Sequence, residues 1–477
     1  MTLPIRPGAV VPPKDPRRGG LLFVLASNML IDALEVSVMV VAMPVMKDDL
    51  RLSLPEVQWA MSGFALGFGG LMLLGGRLVE LLGRRRVYLT ALLVFAAVSL
   101  AGALVEDPAL LLATRFVKGF AAALTAPTGL AILSTVIPQG RARARALSVY
   151  AFFGACGFTV GLVLSGLLTE VSWRWTMAFP APVVLLLFVA GRRLIPADHA
   201  PRGAARLRVR DLDLPGACAL TGGLLALAYG LVSLPAGGLQ DPRVIGAFVV
   251  GLGLLAAIPR IERAATRPLL RPDRPAGRVL LRSALGAGAL NGSYLGLLFI
   301  LTFQLRAAGW GPLETGLALL PASAPLAATA LFSGRLASRF GTARLVAVGS
   351  ALPFIGYVLY LRRPVPDPYV GGVLPTLLLV AAGFVLAFAA LNMQAAASVP
   401  PAVRAQASGL YQSAVQIGAV VVLAVVTALL ADGQGAGGPP RAAMAFVAGV
   451  GLLGFLAGLR GVLPRPPRAG RVAGEGG

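Results

Sequence analysis

Gly76-Arg-Leu-Val-Glu-Leu-Leu-Gly-Arg-Arg-Arg86 returns 258 residues later as Gly334-Arg-Leu-Ala-Ser-Arg-Phe-Gly-Thr-Ala-Arg344, with five of eleven positions identical. Two further matches keep the same order and nearly the same offset. Arg143-Ala-Arg-Ala-Leu-Ser-Val-Tyr150 shares four of eight positions with Arg404-Ala-Gln-Ala-Ser-Gly-Leu-Tyr411, 261 residues on. Ile137-Pro138 and Val399-Pro400 lie 262 apart. Three concordant offsets describe an internal duplication, the hallmark of a protein built from two similar bundles. Each matched loop is flanked by apolar runs, so the duplicated unit is a set of apolar segments joined by short basic turns.

Fourteen such runs, from 21–46 to 442–462, are each about the 20 residues that a helix needs to cross roughly 30 Å of hydrocarbon. The chain of 477 residues is 57% hydrophobic and 13% charged, with a mean hydropathy of +0.81. An average soluble protein is about 45–50% apolar and 25% charged, so a soluble fold is excluded. Runs this long without alternation also exclude a transmembrane barrel. Cys156, Cys218 and the single His199 cannot assemble a disulfide framework, zinc site or haem site, and no cofactor is expected.

The net charge of +22 would point to nucleic acid in a soluble protein. Here it reads as topology. If both termini are cytoplasmic, 31 of the 42 Lys and Arg fall on the inner side, among them Arg84, Arg85 and Arg86 and thirteen between Arg192 and Arg282. Arg17 and Arg18 precede an uncleaved first span rather than a twin-arginine signal, because the run that follows carries acids and has no small-residue cleavage site. The duplication divides the chain into a cytoplasmic tail (1–20), an N-terminal six-helix bundle (21–195), a linker with an inserted helix pair (196–265), a C-terminal six-helix bundle (266–462) and a second cytoplasmic tail (463–477). The Arg/Pro-rich connectors are expected to lie against lipid headgroups.

Of the 20 acids, 18 fall in loops or at span ends; Asp32 and Glu35 alone lie mid-span. They are three residues apart on one helix face, at a depth where a charge must be paired or hydrated. The pair is expected to titrate as a coupled unit that can bind and release a proton. The competing reading is a structural pair satisfied by Asn28, one turn back. On span 4, Lys118 matches Glu35 in depth and is its expected cationic partner, with Arg115 shallower; alternatively Arg115 caps backbone carbonyls and Lys118 reaches outwards. In the first quoted loop, Gly76 and Gly83 would permit a tight turn and close helix approach. Glu80 can accept charge-assisted bonds from an Arg or from an adjacent helix N-terminus, with Arg84 one turn on; Ser338 replaces the acid in the second copy.

At this point the chain resembles the major facilitator superfamily, in particular its 14-helix drug:proton antiporter family. The residues that carry the likeness are Gly76 to Arg86 (a G-x-L-a-D-r-x-G-r-k loop with Glu80 for Asp) and Glu35-Val-Ser-Val-Met-Val-Val-Ala-Met-Pro44 in the first span. Arg115-Phe-Val-Lys-Gly119 with Pro127 is similar to R-x-x-Q-G, with Lys118 for Gln; Trp173-Arg-Trp175 and Phe303-Gln304 to Pro321 match further elements. Gly157-Phe-Thr-Val-Gly161-Leu-Val-Leu-Ser-Gly166 resembles the fifth-helix antiporter motif, yet Leu162 stands where that motif has proline. Gly157, Gly161 and Ser165 still form a small-residue ridge for close helix packing.

The resemblance implies an all-α integral membrane protein with the major facilitator fold, two six-helix bundles plus two inserted helices. It implies an inner-membrane, proton-driven exporter of hydrophobic small molecules, including cationic ones, acting by alternating access and not as an enzyme. Proton coupling would fall to Glu35, Asp32, Arg115 and Lys118, and gating to Gly76, Glu80, Gly83, Arg84, Gly157 and Gly161, the first four as an inner latch. The substrate cavity between the bundles would draw on Phe64, Phe68, Asn291, Tyr294, Gln304, Asn392, Gln394, Gln412 and Gln416. Partners are then a small-molecule substrate, protons and membrane lipid, with no nucleic acid, and the chain works as a monomer. A proton:solute symporter or uniporter, which Leu162 would favour, and a non-transporting receptor or assembly factor are the alternatives.

Overall fold

The computed structural model describes residues 16–197, 214–264, 276–362, 369–400, 404–433 and 440–460. His199, residues 1–15, the C-terminal tail and most of the Arg/Pro-rich connectors lie outside the described residues, while 16–20, read as tail, already belong to the first helix. The chain is helical throughout, with no strand among the described residues. The first half holds α1 (Pro16–Asp49), α2 (Leu54–Leu82), α3 (Arg84–Leu104), α4 (Pro108–Val136), α5 (Arg141–Val171), α6 (Trp173–Ala178) and α7 (Pro180–Leu194). Then come α8 (Leu214–Gly237) and α9 (Pro242–Ala264). The second half holds α10 (Ala276–Ala307), α11 (Pro312–Ala318), α12 (Leu320–Thr329), α13 (Ser333–Phe340), α14 (Thr342–Arg362), α15 (Tyr369–Gly372), α16 (Leu374–Ala397), α17 (Arg404–Gly433) and α18 (Arg441–Leu459).

Among the described residues thirteen helices are long and apolar enough to cross a membrane, and α11 with the segment through Phe332, bent by 50°, makes a fourteenth if taken as one span. The protein is a multi-pass membrane protein. The bend falls at Leu319, just before Pro321, which lacks the amide that would continue the helix back to Leu317, so the run read as one span from 313 to 334 is broken. Most helices outrun the apolar runs by several residues, because helical hydrogen bonding continues into the interface after apolar character stops; α1 has 34 residues against 26 in the run.

The duplication is visible in backbone chemistry. Gly83 has φ 90° between α2 and α3, and Gly341, 258 residues on, has φ 77° between α13 and α14. Ser53 opens α2 with its N–H donating to Glu56 Oε2 at 2.7 Å, and Gly311 opens α11 in the same way to Glu314 Oε2 at 2.9 Å, again 258 residues apart. Such caps satisfy amide donors that a helix start leaves free.

An even number of crossings returns the chain to its starting face, termed the terminal face; the other is the distal face. In the first half α1 packs along α5 and α2 along α4, and in the second α10 packs along α17 and α14 along α16. The halves meet along two seams. One runs between α2 and α17 and is overlaid by α8, which touches both, with α9 outside it. The other lies between α5 and the α11–α12 pair. At the distal end of that second seam the backbones nearly touch. A Cβ on Gly316 would come within 2.6 Å of the Leu162 carbonyl oxygen, and one on Gly166 within 2.8 Å of Leu313 Cα. Leu313 N–H also donates to Glu170 across the seam at 3.1 Å, and Arg306 faces Asp48 at 4.0 Å. The halves are therefore closed at the distal face.

Candidate functional site

Glu35 is wholly buried in α1 and holds two cations from α4. Arg115 Nη1 meets Oε2 at 2.6 Å and Lys118 Nζ meets Oε1 at 2.7 Å. Lys118 and Arg115 are three residues apart, one helical turn, so one face of α4 presents both. Arg115 is further fixed by donating from Nε to the Ala60 carbonyl at 2.8 Å and from Nη2 to the Glu35 carbonyl at 3.2 Å. It therefore both pairs with the acid and caps backbone carbonyls, whereas Lys118, buried against Glu35, does not reach outwards as the alternative reading had it. The greater reach of arginine brings it to Glu35 despite its shallower position. The guanidinium lies 5.0 Å from the Phe64 ring centre and the Lys118 ammonium 5.1 Å from that of Phe95, so cation–π attraction replaces part of the lost hydration.

Close helix approach makes this geometry possible. A Cβ on Gly119 would come within 2.1 Å of the Phe64 carbonyl oxygen, and one on Gly67 within 2.1 Å of the Phe116 carbonyl oxygen. With no side chain at either position, α2 and α4 touch along their backbones, which sets Arg115 beside the Ala60 carbonyl. On the other side of α1, a Cβ on Gly157 would lie 2.3 Å from the Leu30 carbonyl oxygen and one on Gly161 2.0 Å from Ser37 Oγ. Ser165 Oγ donates to the Val38 carbonyl at 2.7 Å. The small-residue ridge thus carries α1 against an unbroken α5, with Leu162 buried.

Asp32 occupies a different environment. Its Oδ2 accepts from Asn28 Nδ2 and from Thr125 Oγ1, each at 3.0 Å, while Oδ1 is buried with no donor. The two acids share no hydrogen-bond partner, yet Asp32 remains within electrostatic range of Glu35 one turn away. Thr125 was missed in the sequence; its signal was its seven-residue spacing from Lys118, two turns down the same face of α4. Tyr88 on α3 is also buried and lies in electrostatic range of Asp32.

The gating candidates separate as well. Gly83 forms the turn, whereas Gly76 is exposed and faces open space; the close approach falls to Gly75, whose Cβ would sit 3.0 Å from the Ala123 carbonyl oxygen. Glu80 and Arg84 are exposed on the terminal face. Ser338, in the second copy, donates to the Arg335 carbonyl of its own helix at 2.9 Å.

The substrate candidates are spread over the molecule. Phe64 and Phe68 are buried and stacked, with ring centres 6.0 Å apart. Tyr294 is buried in an aromatic row with Phe158 of α5 at 5.6 Å and Phe384 of α16 at 4.9 Å, a row that crosses between the halves. Asn291 donates to the Val415 carbonyl at 3.1 Å, and Gln416 lies at the α2–α17 seam against Gly69. Gln412 is half-buried and its Oε1 has no donor. Gln304, near the distal end of α10, accepts from Tyr360; Gln394, near the terminal end of α16, donates to Thr342 at 3.3 Å; and Asn392 is exposed. Sequence reasoning also missed the distal clasp in which Trp173 Nε1 and Arg174 Nη1 both donate to Asp49 at 2.7 Å, a partner that the Trp-Arg-Trp element alone could not reveal.

The buried charged cluster, the duplicated bundles and the ordered motifs coincide with a family model, Major Facilitator Superfamily, that matches residues 25–423. The chain belongs to the Major Facilitator Superfamily. As a member of this superfamily it is a small-molecule transporter and not an enzyme. It is 35% identical over 419 residues to the puromycin resistance protein of Streptomyces alboniger, covering 86% of this chain and 82% of that one. It is 32% identical over 416 residues to the cephamycin export protein of Amycolatopsis lactamdurans, covering 85% and 83%. Among solved structures, the D-xylose-proton symporter superposes with a TM-score of 0.66 at 14% identity over 93% of this chain and 97% of that one. The human organic anion transporter TETRAN gives 0.60 at 18% identity over 93% and 100%. These two show the superfamily fold alone.

Proposed function

We propose that the chain exports hydrophobic antibiotic-like molecules, including cationic ones, from the cell in exchange for protons, by alternating access and as a monomer. The observation that carries this is the charged cluster of Glu35, Asp32, Arg115 and Lys118 sealed inside the first half. A charge buried in a membrane domain is costly, and groups retained there are characteristically those that handle ions or protons. The relatives named for puromycin resistance and cephamycin export support the direction of transport and the class of cargo. The basic loops of the terminal face support placing that face, with both termini, in the cytoplasm of a cell whose plasma membrane holds the protein. On that orientation the structure is closed to the outside. Gly83, Glu80 and Arg84 then belong to the inner gate, and the Gly157–Gly161 ridge to the helix that rocks with α1. The boundaries at 21–195, 196–265 and 266–462 are the proposed moving and inserted units.

Flux in proteoliposomes under imposed pH gradients of either sign tests the reading. Puromycin, a cation at neutral pH, and an uncharged antibiotic serve as probes. Antiport requires accumulation against the direction of proton flow. Co-directional flux would establish the symport alternative, and flux indifferent to the gradient a uniporter.

A further inference from the structure

The four buried charges are not equivalent, and the difference assigns the proton. Glu35 has each oxygen against a separate cation, at 2.6 and 2.7 Å, with no atom exposed. Protonating it would discard two charge-assisted contacts and leave two buried cations without a counter-charge, which is the costliest change available in the cluster. Asp32 faces no cation directly. Its Oδ2 is satisfied by Asn28 and Thr125, and its buried Oδ1 has no donor. A proton on Oδ1 leaves both existing hydrogen bonds in place. Tyr88, fully buried and in electrostatic range of Asp32, keeps a hydroxyl with no hydrogen-bond partner.

We infer that the exchangeable proton is carried by Asp32, on Oδ1, while Glu35 stays ionised as the fixed counter-charge of Arg115 and Lys118. This deepens the proton-coupled reading above and rests on it. Lysine at position 118 is what makes the division possible, because a neutral residue there would leave one Glu35 oxygen free to take the proton. The groups that face Asp32 are Asn28 on α1 and Thr125 on α4, which donate to it, and Glu35 on α1, Tyr88 on α3 and Tyr150 on α5, which lie within electrostatic range; Arg115 and Lys118 of α4 turn to Glu35 instead, and the Tyr150 hydroxyl donates to the Ala126 carbonyl at 2.9 Å. The charged groups of α2, α6, α7, α10 and α11, which also pack on or beside α1, lie within two turns of those helices' ends, and Tyr294, midway along α10, donates to the Ala322 carbonyl at 3.3 Å.

The charge balance explains coupling. With Asp32 ionised, two acids and two bases sum to zero. Uptake of one proton from water converts the carboxylate to a carboxylic acid and raises the sum to one positive charge; release to water on the other face restores it. A cationic substrate is therefore repelled by the protonated form and tolerated by the ionised one, so proton and cation occupy the site in turn.

Infrared pH-difference spectra of the full chain in lipid nanodiscs, with no substrate added, read the assignment directly. The carboxylic-acid carbonyl band of a buried protonated acid should titrate in the wild type and be lost in Asp32→Asn. It should persist in the double variant Glu35→Gln with Lys118→Gln, which keeps the charge balance and so the fold. A band that survives in Asp32→Asn, one lost in the double variant, or no band in any of the proteins would overturn the inference. Failure of the exporter reading looks different: wild-type proteoliposomes would show no gradient-driven flux while the band still followed Asp32.

Discussion

Arg115 and Lys118 both depend on Glu35, and removing different members of the triad leaves different residues of charge. Glu35→Gln strands two buried cations and should cost about 3–5 kcal/mol, the usual penalty for breaking a buried pair. Lys118→Gln leaves a neutral Arg115–Glu35 pair with its carbonyl contacts intact, so it should cost clearly less. Thermal unfolding of detergent-purified protein, followed by tryptophan fluorescence, checks the order; equal losses would mean that Lys118 contributes as much as the acid itself. At this scale the sequence was half legible. Asp32, Glu35, Arg115 and Lys118 stood out because charges in apolar runs are rare. Matching depth also identified Lys118 as the partner of Glu35; that Arg115 meets the same acid while Asp32 takes neutral donors did not follow, since the reach of an arginine and a one-turn difference on α1 decide it.

Helix α2 ends and α3 begins at Gly83, where φ is 90° and ψ 151°, a conformation that side chains other than hydrogen disfavour strongly. Gly83→Ala should therefore destabilise the loop by about 1–3 kcal/mol. Gly76 lies inside α2 with open space around its Cα, so Gly76→Ala should be neutral or stabilising, by up to about 1 kcal/mol. Unfolding midpoints of the two variants, compared in one lipid composition, test a contrast that the loop motif alone would not predict, because the motif holds both glycines alike. The helices themselves were plain in the hydropathy, since a bilayer imposes length on every crossing. The bend between α11 and α12 was hidden, because Pro321 and Pro325 are apolar and do not interrupt a hydrophobic run; α4 contains Pro127 and remains one helix.

For the whole molecule, an ion pair and a backbone contact help the Leu313–Glu170 hydrogen bond to hold the distal face shut, and the first two differ in magnitude. The Arg306–Asp48 pair is 4.0 Å apart and largely exposed, so it contributes about 0–1 kcal/mol and is screened by salt. The backbone contact of Gly316 with Leu162 admits no side chain at all. Arg306→Gln should thus leave the distribution of states nearly unchanged, whereas Gly316→Leu should drive the distal ends apart. Distances between spin labels on the distal ends of α5 and α14 report both. On the terminal face, Glu80→Gln should slow transport more than it weakens substrate binding and should favour the form open on that face, while Ser338→Ala, with no charge to lose, should change little. Label pairs on the terminal ends of α2 and α14 give the measurement, and the latch is refuted if both variants keep the wild-type distribution.

The inserted pair gives the molecule a sidedness that its duplication lacks. Helix α8 lies across α2 and α17, so a lipophilic compound diffusing within the leaflet meets a wall along that seam, with α9 as a second course behind it. Among the described residues neither helix of that pair reaches the seam between α5 and α11–α12, where a bent helix replaces a straight span. The two flanks therefore offer lipid unequal walls. Cargo that partitions into the bilayer before export would meet fewer layers of protein on the α5 flank, and the length, stiffness and headgroups of the lipids stationed there would help to decide which molecules are removed.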